Sequence, residues 1–365
     1  MTEPARGCRA CGGTDLTRIL DLGAMPAADH FPAEDDPVTD QAHDLAMDLC
    51  GGCGLAQLAD DDTVADEPRG VEPRALRDQA ADAVARVAAA GWLPGGTVRE
   101  FGSPHGGTWI PLLTERGYRE TADAAADVVL DSFGMMHEPD QAAAVAARAA
   151  ATRPGGVLLL QFHSLRTIVA QGQWNALRHG HFAYYTLPVL RRMLAGAGMR
   201  VVRAWEFDLY GGTVLVAAVH STAPARPDSD LDRLLALENP FTTVAGTATL
   251  QQEADRQVRE LRAGLAEAAA RGQRSYAYGA ASRAVALFAR AGLDRELLAG
   301  VADASPGKHG RRMPGTDIPI ITPEQLVAAN PDRVLLTVPD LLDEVRSAYP
   351  ALNGKWAAEF RFPER

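Results

Sequence analysis

Residues 98 to 113 read VREFGSPHGGTWIPLL: a short strand-like run, a glycine-rich turn and the opening of a helix. Strand, turn and helix in that order form the unit from which an open α/β sheet is wound. The stretch carries Glu100, Gly102 and Gly106 in the spacing E-x-G-x-x-x-G. Glycines at such a turn let a ligand approach the backbone, and the free N–H groups of the following helix attract anions. Pro104 departs from that use, because it removes one backbone donor.

The same alternation extends on both sides. PRALRDQAADAVARVAAAGWL (73–93) reads as a helix stopped by glycines. ADVVLDSFGMM (126–136) and GGVLLLQF (155–162) read as strands around an alanine-rich helix at about 139–152. A further helix and strand follow in LPVLRRMLAGAGMRVVRAWEF (187–207), then a strand in GGTVLVAAVH (211–220). The Pro-rich STAPARPDSD (221–230) closes this unit. After the long amphipathic helix beginning at Thr249, the alternation restarts in SYAYGAASRAVALFARAGL (275–293) and DRVLLTVPDLL (332–342). Leu250, Val258, Leu261 and Leu265 form the core stripe of that long helix.

All four cysteines lie in the first 53 residues, as Cys8-x2-Cys11 and Cys50-x2-Cys53. Two such knuckles bring four thiolates to one tetrahedral zinc with no open position, so the site is structural. The 38 residues between the pairs are filled by a loop or hairpin. An acidic stretch, ADDDTVADEPRG (59–70), reads as a linker. A net charge of -11 over 365 residues argues against a phosphate-backbone binder, which would show a basic face. No apolar run is long enough to span a bilayer, and with no targeting segment the expected location is the cytoplasm. Neither nucleic acid nor membrane is an expected partner; a small molecule is.

CRACGG (8–13), LDLGAMPAADHF (20–31), CGGCGLAQL (50–58), DVVLDSFGMMHEPD (127–140), RPGGVLLLQF (153–162), HGHFAYYTLPVLRRMLAGAGM (179–199), YAYGAASRAVALF (276–288) and VADASPGKHGRRMPGTDIPI (301–320) follow one another in a set order. In that order they resemble the zinc-bearing C-methyltransferases that act on nucleotide-linked keto-deoxysugars in antibiotic biosynthesis. The resemblance covers nearly the whole chain. It implies an α/β protein with an N-terminal zinc-binding module (1–60), a central Rossmann-like methyltransferase domain (75–222) and a C-terminal Rossmann-like substrate-binding domain (245–365). It also implies S-adenosylmethionine (SAM) as methyl donor and a histidine base acting next to a carbonyl.

The chain departs from the resemblance where SAM would bind. Such a site needs an acid ending the second strand to hold the ribose, then a helix and a third strand flanking the adenine. Asp123 is the candidate acid, but only Ala124, Ala125 and Ala126 separate it from Asp127. Three residues cannot hold a helix and a strand, so the central domain is expected to lack a strand and SAM binding is in doubt. The family's tyrosine between zinc module and first helix has no counterpart here. Its histidine in an H-G-G-[ST] turn is Tyr210.

The resemblance assigns the base to His181, with Phe182 and Tyr185 following it. Gly180 stands where the family has an acid, and His179 is the candidate to orient the base. His163, at a strand end, is a further acid/base candidate, and His105 and His137 are possible cleft residues. Tyr184 and Tyr185 are either enolate donors or packing residues. Gly279, Ser282 and Arg283, at a strand-to-helix turn, suit a phosphate, as in a nucleotide sugar; Asp303, Lys308, Pro314 and Gly315 shape the loop beyond. A polyketide-type acceptor also fits. Three functions follow: a SAM-independent acid/base tailoring enzyme, a working C-methyltransferase, or a noncatalytic binding partner.

Overall fold

The computed structural model describes residues 7–37, 40–63, 72–104, 106–222 and 228–357. His105 and parts of the two connecting stretches, 64–71 and 223–227, lie outside the described residues. Strands β1 (Leu16–Pro26), β2 (Ala42–Cys50) and β3 (Ala56–Leu58) form an antiparallel sheet in the order of the chain. The C-x2-C turns adjoin this sheet before β1 and between β2 and β3.

The next stretch builds the central sheet from α1 (Arg74–Ala89), β4 (Thr97–Phe101), α2 (Ile110–Thr114), β5 (Arg119–Glu120), β6 (Ala126–Ser132), α3 (Gln141–Ala151) and β7 (Thr152–His163). Helix α4 (Leu165–Ala170) and strand β8 (Ala183–Tyr184) then leave the sheet, and α5 (Leu187–Gly196), β9 (Met199–Phe207) and β10 (Thr213–His220) complete it. The strand order is β5-β4-β6-β7-β10-β9. The first four are mutually parallel, whereas β10 runs antiparallel to both β7 and β9. The sheet is therefore mostly parallel, and only β10 is reversed, because β9 and β10 meet through a tight turn at Tyr210, which only an antiparallel pair allows. The missing strand is real. Between β5 and β6 lie residues 121–125, and β5 itself is the sheet edge.

After α6 (Ser229–Glu238), α7 (Val244–Thr247) and the long α8 (Thr249–Ala270) comes a second α/β unit. It contains β11 (Ser275–Tyr278), α9 (Ser282–Arg290), β12 (Val301–Ala302), β13 (Ile320–Ile321), α10 (Pro323–Ala329), β14 (Arg333–Leu336), α11 (Leu342–Ala348) and β15 (Trp356–Ala357). All its strand pairs are parallel, in the order β13-β12-β11-β14-β15. Each Rossmann-like sheet has a switch point, between β4 and β6 in one and between β11 and β14 in the other. Ligands of open α/β sheets gather outside the strand ends at such points.

The first sheet binds the other two together. Leu20, Phe31 and Met47 share a core with Leu261 of α8 and Phe288 of α9. Cys8, Cys50 and Leu55 pack instead with Met135, Leu158 and Leu187 of the central unit. Strand β8 pairs with β3, so the segment after α4 is stitched into the first sheet rather than its own.

At the central switch point, a buried ion pair holds the chain. Arg148 Nε donates to Asp131 Oδ2 at 2.8 Å, with both side chains almost wholly out of solvent. Asp131 Oδ1 also accepts from the N–H groups of Gly134 and Met135. The Arg148 guanidinium lies 4.2 Å from the centre of the Phe101 ring. Gly134 is needed here, because a Cβ would come within 3.0 Å of the Phe101 and Gly102 carbonyls. Removing one member of such a pair strands the other charge, at a cost of about 3–5 kcal/mol. Arg148→Met should therefore lose stability of that order in urea unfolding, and adding Asp131→Asn should restore most of it.

Candidate functional site

Each C-x2-C turn folds alike. Cys8 O accepts from Gly12 N and Cys50 O from Gly54 N, with both glycines at positive φ, where an L side chain is strained. The turns face each other with Cys8 Sγ 3.5 Å from Cys53 Sγ and Cys11 Sγ 3.7 Å from Cys50 Sγ. All four sulfurs lie within 4.8 Å of one another. Zinc–sulfur bonds of about 2.3 Å in a tetrahedron separate sulfurs by about 3.75 Å, close to the two facing pairs, so the cluster is of the size zinc needs. The Cys8–Cys53 contact favours the thiolate at Cys8 and the thiol at Cys53, and burial raises Cys11, so in the absence of a metal the four sulfurs share fewer than four negative charges.

The two switch points face one cavity of about 430 Å³. Its walls include Glu100, Gly102 and Gly106 from the turn after β4, His163 from the end of β7, His137 and His181, and Tyr210, Gly279, Ser282 and Arg283. Those sequence candidates therefore converge. Tyr185, His179 and Asp123 do not line the cavity.

His181 stands at the cavity wall with its Nε2 accepting from Arg178 Nε at 2.7 Å. His137 packs edge-on against it, ring centres 4.5 Å apart, and the His137 Nδ1–H donates to Gly180 O at 2.9 Å. Gly180 N donates to Asp61 Oδ2 at 2.6 Å, which fastens this loop to the end of the zinc module.

Several of these expectations need correction. His179 does not orient His181: its Nε2 reaches Asp44 O at 3.3 Å and its ring meets His43, so it anchors the loop to β2. Tyr185 is buried, and its hydroxyl donates to Gln141 Oε1; Gln141 in turn donates to the Met135 and Glu138 carbonyls, fixing the turn that bears His137. Tyr184 likewise donates to Ala176 O and accepts from Arg178 N. Asp123 is exposed beyond the end of β5 and outside the cavity. His163 lines the cavity, but burial, reinforced by the Arg283 charge, pulls it down to about 3. It is a neutral ring near pH 7 and a poor proton acceptor there.

The glycine turn after β4 closes largely on itself. Trp109 N donates to Glu100 Oε1 at 2.8 Å, and Thr108 donates to the other Glu100 oxygen. Gly106 N bonds Ser103 O and Ile110 N bonds Thr108 Oγ1. Three N–H groups of the turn, those of Gly106, Trp109 and Ile110, are thus bonded inside it. Glu72, which no sequence pattern marked, leans over it: a Cβ on Gly107 would meet Glu72 Oε1 at 2.7 Å.

The opposite wall is cationic. The Arg283 guanidinium faces the cavity, and burial lowers it below the usual arginine range. Among the described residues no carboxylate lies within ion-pair distance of it. It rests 5.8 Å from the centre of the Tyr210 ring. Tyr210 and its edge-on neighbour Phe133 both adopt positive φ, a strained state for aromatic residues that marks functional clefts. Ala280 N bonds Asp303 Oδ2, and Lys308 Nζ bonds Ala280 O, so these two residues set the shape of the β11 turn. A half-buried guanidinium beside the N-terminus of α9, with Asp340 near enough to be felt but not ion-paired to it, suits a phosphate group.

The four-thiolate module and two facing Rossmann-like sheets define a zinc-binding protein of methyltransferase-like fold. A zinc binding domain profile matches residues 8–65, and a C-methyltransferase C-terminal domain profile matches residues 208–363. The C-methyltransferase NovU of Streptomyces niveus is 26% identical over 396 aligned residues, covering 94% of this chain and 93% of that protein. Similar solved structures include magnesium protoporphyrin IX methyltransferase of Synechocystis, at 14% identity, 40% of this chain, 84% of that one and a TM-score of 0.30. Another is the 1,6-didemethyltoxoflavin-N1-methyltransferase of Burkholderia thailandensis, at 16% identity, 46% and 96% coverage and a TM-score of 0.28. The chain carries the zinc-binding and C-terminal domains of the C-methyltransferases around a four-cysteine cluster, and it is a methyltransferase-family enzyme.

Elemental analysis of purified protein should find one zinc per chain. Cys50→Ala should abolish zinc binding and unfold the first sheet, since structural zinc contributes on the order of 10 kcal/mol. A folded, metal-free wild-type protein would refute the assignment.

Proposed function

We propose that this enzyme is a cytoplasmic tailoring enzyme of natural-product biosynthesis that has left SAM behind and works by acid/base chemistry on an activated keto-deoxysugar. The observation that carries the reading is the pairing of a retained histidine with a missing cofactor wall. His181 lies in the shared cavity with a lone pair on Nε2, while the sheet lacks the strand that would flank an adenine and the glycine turn bonds three of its N–H groups internally.

The substrate's phosphate end is assigned to Gly279, Ser282 and Arg283, and its sugar to the space between Tyr210 and His181. His181 takes a proton from the carbon next to the carbonyl: the C–H bond breaks, the N–H bond forms at Nε2, and the electron pair moves to the carbonyl oxygen as an enolate. Returning the proton to the other face gives an epimer, and returning it to another atom gives an isomer. Loss of a leaving group gives elimination, and capture of an electrophile gives addition. The domain limits that go with this reading are 1–60, 75–222 and 245–365.

A second reading is a functioning SAM-dependent C-methyltransferase acting on a dTDP-keto-deoxysugar. The near full-length similarity to a C-methyltransferase favours it.

Incubation in deuterium oxide with a dTDP-linked 4-keto-6-deoxyhexose, without SAM, separates the two readings. The first predicts deuterium incorporation beside the ketone and its loss by about 100-fold or more in His181→Ala, with zinc content unchanged. Transfer of a methyl group on adding SAM would place the second reading first.

A further inference from the structure

The atoms around His181 set its tautomer. An arginine Nε–H can only donate, so the 2.7 Å contact from Arg178 Nε requires the lone pair of His181 on Nε2. The proton of the neutral ring then sits on Nδ1. The neighbouring ring is fixed by the same logic: a carbonyl only accepts, so His137 carries its proton on Nδ1, toward Gly180 O at 2.9 Å. Arg178 also lines the cavity, with its side chain largely buried and Asp29 at the outer limit of ion-pair distance, 4.0 Å. Its backbone is held independently, by Arg178 N donating to the Tyr184 hydroxyl at 3.2 Å. The guanidinium can therefore change partner while its Cα stays in place.

We infer that Arg178 is a positioning residue for the reaction at His181: it holds the proton-accepting tautomer ready and, when substrate enters, moves from Nε2 to the substrate's carbonyl oxygen. This rests on the acid/base reading above. The same cation then serves both ends of the step. In the free enzyme it shields the lone pair. In the complex it releases that pair to the α-proton and receives in hydrogen bonds the charge that appears on the enolate oxygen. No further reactant is needed: one proton passes from carbon to Nε2, one electron pair passes from the C–H bond to oxygen, and both return at reprotonation. Preorganised donors aimed at a developing oxyanion are among the strongest catalytic contributions. A guanidinium keeps its proton throughout, so it stabilises the enolate without competing as an acid.

Two measurements test this. In ¹⁵N NMR of the free, zinc-loaded protein, His181 should show a bare Nε2 and a protonated Nδ1, and Arg178→Ala should shift the ring toward the Nε2-protonated form. Wild-type His181 with its proton on Nε2 would overturn the inference whatever the activity. In the deuterium-exchange assay with the dTDP-linked keto-sugar, Arg178→Ala should lower the exchange kcat by about 100-fold with KM changed less than about threefold. Arg178→Lys, which keeps a donating cation, should recover about tenfold of that loss. A rise in KM at unchanged kcat would make Arg178 a simple binding residue and overturn the proposal. Absence of exchange in the wild type would instead count against the acid/base reading, while the NMR result would still decide the tautomer.

Discussion

The four-thiolate centre is the constraint on which the rest of the molecule depends. A short antiparallel sheet of this kind has too little apolar surface to hold its shape unaided, and the zinc fixes its two knuckles. Once fixed, the sheet reaches both other units: Phe31 and Met47 on one side, Cys8 and Leu55 on the other. Its far end supplies Asp61 to Gly180 N and Asp44 O to His179, and its third strand pairs with β8 just after His181. A structural metal thereby governs the placement of a histidine that it never touches.

Loss of one strand accounts for the changed half of the cavity. With β5 as the edge and only residues 121–125 before β6, nothing in the sheet occupies the place of an adenine wall. The glycine turn keeps its outline because Glu100 now satisfies Trp109 N and Thr108 and holds the turn without a ligand. The C-terminal half keeps Arg283, with no carboxylate in ion-pair distance among the described residues, at its own switch point. On the function proposed above, the cavity holds an anionic substrate against Arg283 and no longer holds a nucleoside cofactor.

Much of this was legible in the sequence, for definable reasons. The C-x2-C spacing fixes a metal site because few other arrangements place four thiolates together. Counting residues between Asp123 and Asp127 exposes the missing strand, since a helix and a strand have minimum lengths. What failed was the direction in which side chains point. Tyr185 and His179 sit in the segment indicated by the motif, yet one turns to Gln141 and the other to Asp44, because β8 joins the zinc module's sheet. That pairing spans residues more than a hundred positions apart, and no local pattern announces it. Arg178 and Glu72 escaped notice for the same reason: an isolated charged residue acquires meaning only from the atoms that tertiary folding brings to it.

The most direct test of this account is calorimetric titration of the zinc-loaded protein with SAM and with S-adenosylhomocysteine. A sheet without its adenine-flanking strand, and a turn closed on Glu100, predict no detectable binding of either. Micromolar binding of one of them would contradict the account, because another segment would then have to rebuild the missing wall.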